Sequence, residues 1–361
     1  MILGILCGIG INFSVGFANI AEIIYIGYGI YAIIKQKKIK FSRELNTFIV
    51  CMLLFILYTL LYFFFDKCDN SKIIKNMFKY VNIMVLTIIS FQFCKIDMKK
   101  FLRFLIAFFT TEIIYSIFNN PLYDDLAHIL HYTQFLLDIY IIMLLFEDKP
   151  KIKLILYVVA ILLALYSRSR TSLMIILMTI IYNIYQILLK QNLDKNKLIR
   201  KVIMLISLMV VGIIGINYFS NNLSKETESN EERKLLLRTA MMEIKQNPLT
   251  GVGPGNFNLY AKLELNTRFK SADLTVHNYY LEILTEWGVI GFTIFFFYYI
   301  KIIKVLIKRV PNMMYKKIYI YFFVFSLFNT SSGEQRIKIA ILLSIIFYDL
   351  SKEYKEVCKN E

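Results

Sequence analysis

The chain has 361 residues, of which 57% are hydrophobic and 19% charged, and its mean hydropathy is +0.56. A water-facing globule cannot hide that much apolar surface in one core, so soluble enzyme folds are excluded, and so is intrinsic disorder. The 42 basic and 26 acidic residues leave a formal charge of +16. The basic residues nevertheless sit in short clusters between apolar runs, which is the pattern of membrane topology and not of a nucleic-acid partner.

A helix crosses the hydrocarbon core with about 20 apolar residues and must satisfy its own backbone there. Residues 2–34 are too long for one untilted crossing, and Asn12, Ser14, Gly16 and Asn19 offer a break between two short helices. Further spans are expected at Phe48–Phe65, Phe78–Cys94, Phe101–Phe118, Tyr132–Phe146, Leu154–Tyr166, Thr171–Leu189, Val202–Phe219, Tyr279–Ile300, Ile318–Asn329 and Ile337–Leu350. The fold class is therefore all-α, a polytopic integral membrane protein of about twelve spans, or eleven if the first stretch is unbroken. The organisation reads as a membrane region over 1–219, an external loop over 220–277, a second membrane region over 278–350 and a tail over 351–361.

Orientation follows from Lys and Arg, which concentrate in short cytoplasmic loops. The loops at 35–43, 95–103, 147–153, 190–201, 301–317 and 351–361 hold 26 of them, whereas the alternate short loops at 66–79, 119–131, 167–170 and 331–338 hold 8. The first set belongs in the cytoplasm and the long loop outside. Met1-Ile2-Leu3-Gly4 lacks the positive region of a cleaved signal peptide, so the first apolar stretch is expected to stay as an anchor. The five cysteines are scattered without CxxC spacing and argue neither disulfides nor metal.

Within the external loop, Asn221–Asn230 is polar and reads as flexible, and Glu231–Asn247 reads as an amphipathic helix stopped by Pro248. Lys234, Arg238 and Lys245 share one helical face, and Leu236, Leu237, Ala240, Met241 and Ile244 form another. One face can grip anions while the other lies on the membrane. Gly251-Val252-Gly253-Pro254-Gly255-Asn256-Phe257 is not a nucleotide loop, because no strand precedes it and Pro254 intervenes. It reads as a tight turn that lets backbone approach a partner, or as a backbone anion nest.

Three features carry chemistry. His277 sits where the external loop meets a span, with Glu282 and Glu286 following at helical spacing. It is either an interfacial polar residue or a base tuned by those carboxylates. Arg168 and Arg170 lie on the outer side, where the charge rule disfavours them. They either anchor helix ends or contact phosphate bidentately. Arg238, Arg268 and Arg336 are external too, which makes the outer mouth attractive to a diphosphate. Glu22, Glu112 and Asp138 fall inside spans, where a charge usually faces an interior cavity. Asp124, Asp125, His128 and His131 lack ligand geometry, so no metal is expected there.

In order along the chain stand Ser167-Arg168-Ser169-Arg170-Thr171-Ser172, Arg238-Thr239-Ala240, Asn247-Pro248-Leu249-Thr250-Gly251-Val252-Gly253-Pro254-Gly255-Asn256-Phe257, His277-Asn278-Tyr279-Tyr280-Leu281-Glu282 and Glu286-Trp287-Gly288-Val289-Ile290-Gly291. Over roughly residues 160–300 this set resembles the O-antigen ligase and polysaccharide repeat-unit polymerase superfamily of bacterial membranes. The resemblance implies transfer of a glycan from an undecaprenyl diphosphate carrier to a sugar hydroxyl on the outer face of the inner membrane, without metal, nucleotide sugar or other cofactor. It implies His277 as general base, with Arg168, Arg170 and Arg238 on the diphosphate. Glu282, Glu286, Gly251, Gly253, Gly255, Arg268 and Arg336 are then supporting residues. The short external loop leans toward a polymerase joining two lipid-linked units for a capsule, exopolysaccharide or O-antigen. A ligase is the first alternative, and a lipid-linked oligosaccharide flippase or exporter is the alternative of another class. A flippase and a chain-length regulator are the protein partners implied.

Overall fold

The structure is a computed structural model and describes residues 2–13, 15–36, 41–65, 69–118, 155, 158, 224–265, 276, 278–309, 339–348, 350 and 351. All regular structure among these residues is helical. Apart from Ile155 and Val158, the spans expected between 132 and 219 and at 318–329 lie outside them.

Over the first stretch, helix is described at Ile2–Phe13 (α1) and Val15–Gln36 (α2), and residue 14 between them lies outside the described residues. Ser42 launches α3 (Arg43–Leu60), because its extended backbone lets the hydroxyl accept the Leu45 N–H at 3.1 Å. A 3₁₀ turn, Leu61–Phe63, closes α3. Asp69 then caps α4 (Asn70–Ile96) through the Ser71 N–H. Asp97, at an extended elbow, accepts the Lys100 N–H at 3.1 Å and starts α5 (Met98–Phe118). That N–H holds the Asp97 carboxyl below its ordinary range. Arg43–Phe63, Asn70–Ile96 and Tyr279–Phe297 are each long and apolar enough to cross a membrane.

The chain divides into two compact units, 1–12 with 104–229 and 13–103 with 230–361. In the first, α1 packs on α5 at Gly4, where an added Cβ would lie 2.5 Å from the Phe104 carbonyl oxygen. Small residues of this kind let membrane helices approach closely.

The second unit contains α2, α3, α4 and most of α6 (Ser224–Gln246), together with α7 (Phe257–Leu265), α8 (Tyr279–Arg309) and α9 (Ile339–Tyr348). Phe55 of α3 is its hub, meeting Tyr80 of α4 and Phe295 of α8 edge-on, both at 4.9 Å, and Trp287 of α8 at 5.3 Å. In lipid such contacts hold helices together by packing geometry, and aromatic pairs are worth ~0.5–1.5 kcal/mol each. The opposite face of α3, with Val50, Leu53, Leu54 and Leu57, is exposed as a lipid-facing stripe.

Glu22 of α2 is buried against α4 and accepts the Asn82 amide at 2.5 Å. A carboxylate removed from water needs such a donor. Asp138 and the Glu112 side chain lie outside the described residues. The loop helix begins earlier than expected, since α6 starts at Ser224, so Ser224–Asn230 is helical and not flexible. Its Glu-rich sequence favours helix, and acidic residues suit a helix N-terminus.

Candidate functional site

The site is built around an interruption in α8. Gly288 has φ 65° and ψ −171°, which severs the helix after Trp287. A break inside a span frees carbonyls before it and N–H groups after it, and in lipid each unsatisfied group costs several kcal/mol. The chain leaving α6 supplies the missing partners. Val252 and Gly253 donate to the carbonyls of Thr285 and Glu286, both at 2.9 Å, while Val289 and Ile290 donate to the carbonyls of Pro248 and Leu249 at 2.9 and 3.3 Å. The Trp287 carbonyl takes the Tyr58 hydroxyl at 3.2 Å, and the Tyr62 hydroxyl holds Thr250.

Residues 248–253 therefore fill the gap in α8 as a backbone wedge. Glycine is required on both sides of this contact. At Gly251, with φ 67°, a Cβ would lie 2.5 Å from the Thr285 carbonyl oxygen, and at Gly288 it would overlap the Leu249 carbonyl. Of the two readings of the glycine loop, close backbone approach holds, and the partner approached is the protein's own broken helix.

The second half of the loop meets side chains. The Gly255 N–H donates to Glu286 Oε2 at 2.8 Å, so a carboxylate of α8 occupies this part of the turn. Asn256 is buried, donates to the Val252 carbonyl at 3.0 Å and begins α7 by accepting the Leu259 and Tyr260 N–H groups. Its amide oxygen accepts Lys72 Nζ of α4 at 3.0 Å. Asn76, one turn on, donates to the Lys72 carbonyl at 3.0 Å, and Lys79 faces Glu282 at 3.8 Å. The N-terminal ends of α4 and α8, the C-terminal end of α3 and the wedge thus form one polar cluster.

Asn278 caps α8: its side-chain oxygen accepts the Leu281 N–H at 3.0 Å and its carbonyl accepts the Glu282 N–H at 2.9 Å. The cap fixes where the helix begins, directly after His277 in the chain. His277 itself, with Arg168, Arg170, Arg268 and Arg336, lies outside the described residues. Of the expected site, Glu282, Glu286, Gly251, Gly253 and Gly255 come together. Arg238 is exposed on α6, as are Lys234 and Lys245.

The apolar face expected on α6 is rotated. Leu236 and Ala240 are fully buried against Phe257, Ala261 and Val276, whereas Leu237 and Met241 are 43% and 46% exposed. The second helix of the loop, α7, takes the place of the membrane as partner for that face. The sequence reading passed over Lys72, Asn76, Lys79, Tyr58 and Tyr62. Its available signal was four lysines in loop 66–79, on the side where the charge rule disfavours them.

Residues 155–296 match a family model described as O-antigen ligase. The matched stretch includes the wedge, the capped start of α8 and the break at Gly288. No curated protein matches the chain.

Proposed function

We propose, from a bacterial membrane protein whose residues 155–296 belong with the O-antigen ligase family, that it is an oligosaccharide repeat-unit polymerase. The family points to ligase- or polymerase-type glycan processing in a membrane. In the finer reading, the chain moves a growing glycan from one undecaprenyl diphosphate carrier to a sugar hydroxyl on a second, at the outer face of the inner membrane. His277 takes the proton of the attacking hydroxyl. Arg168, Arg170 and Arg238 hold the departing diphosphate, and Arg268 and Arg336 add to the positive field around it. Positive charge matters because charge grows on the diphosphate as its bond to the anomeric carbon breaks. The diphosphate leaves readily, so no general acid is required of the chain.

The observation that carries this reading is the wedge in α8. A base must be held still relative to the atoms it serves, and His277 directly precedes Asn278, the cap of a half-helix locked to α3, α4 and the glycine loop. Glu282 and Glu286 are read as parts of that mount.

The test is extension in vitro. Purified protein given a lipid-linked repeat unit is expected to build a ladder of longer glycans, and His277→Ala to slow it by on the order of 10²–10⁴ without loss of protein. An undiminished ladder in His277→Ala removes the base assignment. Transfer of one preformed glycan to a different acceptor, without a ladder, makes the protein a ligase. Movement of the substrate across liposomes with no transfer makes it an exporter.

A further inference from the structure

One face of α6 is covered by α7, and the other is left open. From Glu231 onward, Lys234, Leu237, Arg238, Met241, Met242 and Lys245 are all exposed. At 3.6 residues per turn they fall within about 140° of one another, a single stripe. A stripe meant for water has no use for a leucine and two methionines, and apolar residues gathered on a surface mark a contact. Its charge is one-sided, three cations against one carboxylate, Glu231.

The wedge fixes what this stripe lies beside. Val289 and Ile290 of α8 donate to the carbonyls of Pro248 and Leu249, and Leu249, Val289 and Ile290 are all exposed, Leu249 by 63%. Val289 and Ile290 belong to a helix long and apolar enough to cross a membrane, so Leu249 joins the lipid-facing surface of that span. The wedge also lies where the crossing of α3 ends. Tyr62 holds Thr250 there, and the next residues, Phe63, Phe64 and Phe65, are exposed aromatics of the kind that mark a membrane–water boundary. α6 ends at Gln246, three residues before Leu249, and three residues reach at most about 10 Å. Its C-terminal end is therefore tethered to the boundary.

Two orientations satisfy that tether. Upright, α6 lifts Leu237 about 14 Å above Gln246 and leaves its apolar stripe in water. Lying along the boundary, it gives Leu237, Met241 and Met242 the same lipid that Leu249 meets, and the lysine stems extend to the headgroups. We propose that the exposed stripe of α6 is an interfacial seat on the outer leaflet, with Leu237, Met241 and Met242 entering the bilayer boundary and Lys234 and Lys245 on the phosphates of anionic phospholipids. The choice of leaflet follows the distribution of basic residues. Arg238, assigned above to the departing diphosphate, lies between them in the stripe, and nothing in the seat depends on that assignment.

The full chain is reconstituted in vesicles of about 3:1 phosphatidylcholine to phosphatidylglycerol, with acyl chains brominated near the headgroup to quench tryptophan. Met241→Trp and Leu237→Trp are each compared with wild type, whose only tryptophan, Trp287, is fully buried and gives a protected background. A helix seated about 5–10 Å into the boundary brings both new indoles within reach of the bromines, and about half of the added emission is expected to be lost. Aqueous iodide should leave it. Both positions are exposed, so each variant is expected to melt with wild type in detergent, and the second serves if the first does not fold. Quenching by iodide and not by brominated lipid puts the stripe in water and overturns the proposal. Quenching by neither means that protein, such as a second copy of the chain, covers the stripe, and overturns it too. Added to Met241→Trp, Lys234→Gln/Lys245→Gln is expected to lower the lipid quenching about twofold with phosphatidylglycerol present and to leave it unchanged in phosphatidylcholine alone. An equal change in both lipids, or none in either, overturns the phosphate contacts.

Discussion

Helices α8 and α9 lie in the same unit and are both strongly apolar, yet one is broken and the other is whole. In α9, residues 340–348 are all buried, Phe347 meets Phe48 at 5.3 Å, and Ser344 satisfies itself on the Ile341 carbonyl at 2.7 Å. A helix buried all round needs nothing from the sequence beyond apolar residues of suitable shape. In α8 the backbone is opened at Gly288 and repaired by a loop from 35 or more residues earlier in the chain. Irregular backbone at membrane depth is tolerated only where protein or a cavity meets it. The contrast separates scaffold from site: α9 fills space, whereas α8 carries buried carboxylates, a capped N-terminus and a loop held against it.

The comparison breaks most sharply at Gly288. Gly288→Ala places a Cβ on the Leu249 carbonyl and forces a left-handed conformation on a residue that resists it, at a cost of ~1–2 kcal/mol for the backbone alone. With the exchanged hydrogen bonds disturbed as well, the loss is expected to reach ~3 kcal/mol or more. Trp287 is the only tryptophan in the sequence and is fully buried beside the break, so its fluorescence reports the wedge directly. A red-shifted emission and a lower melting temperature in detergent are expected. Unchanged emission with unchanged melting would mean that the wedge does not hold α8. An alanine at an exposed position of α8 such as Thr293 should do neither.

A smaller effect distinguishes the two faces of α6. Leu236→Ala removes a fully buried side chain from the cluster with Phe257 and Ala261 and is expected to cost ~2–5 kcal/mol. Leu237→Ala, its neighbour, is 43% exposed and should stay within about 0.5 kcal/mol. Equal losses in thermal unfolding would restore the face expected from the sequence.

That case also shows how far the sequence could be read. Apolar runs predicted α3, α4 and the start of α8, because in a bilayer length and hydropathy alone decide what spans. The burial direction of α6 was not legible, since Leu236 and Leu237 are equally apolar and only the partner, α7, chooses between them. The glycines at 251, 253 and 255 announced a tight backbone contact, but nothing local named α8 as its partner, a pairing across more than thirty residues. Lys72 and Lys79 were visible as an exception to the charge rule. Their meaning depended on Asn256 and Glu282 arriving from elsewhere in the chain.

Next in size is the bond between Glu286 and the glycine loop. A carboxylate accepting a backbone N–H in a buried setting contributes ~1.5–3 kcal/mol. Glu286→Ala removes it and leaves the Gly255 N–H unmet, whereas Glu286→Gln retains an oxygen that can accept. The expected order of melting temperatures is wild type, Gln, Ala. A glutamine variant as unstable as the alanine would show that charge, and not the hydrogen bond, joins the loop to α8.

The smallest effect tests whether the repair of α8 depends on side chains at all. The Trp287 indole N–H donates to Thr59 Oγ1 at 3.1 Å, and Thr59 in turn donates to the Phe55 carbonyl at 2.9 Å. Thr59→Val preserves shape and deletes the acceptor, which should cost about 1 kcal/mol. The wedge should survive, because the four backbone bonds that close the gap at Gly288 do not involve Thr59. Trp287 emission should therefore shift only slightly and the glycan ladder should persist. A collapse as large as that of Gly288→Ala would place the strength of the joint in the α3 side chains, and would make the glycine loop a passenger on a helix that α3 alone holds open.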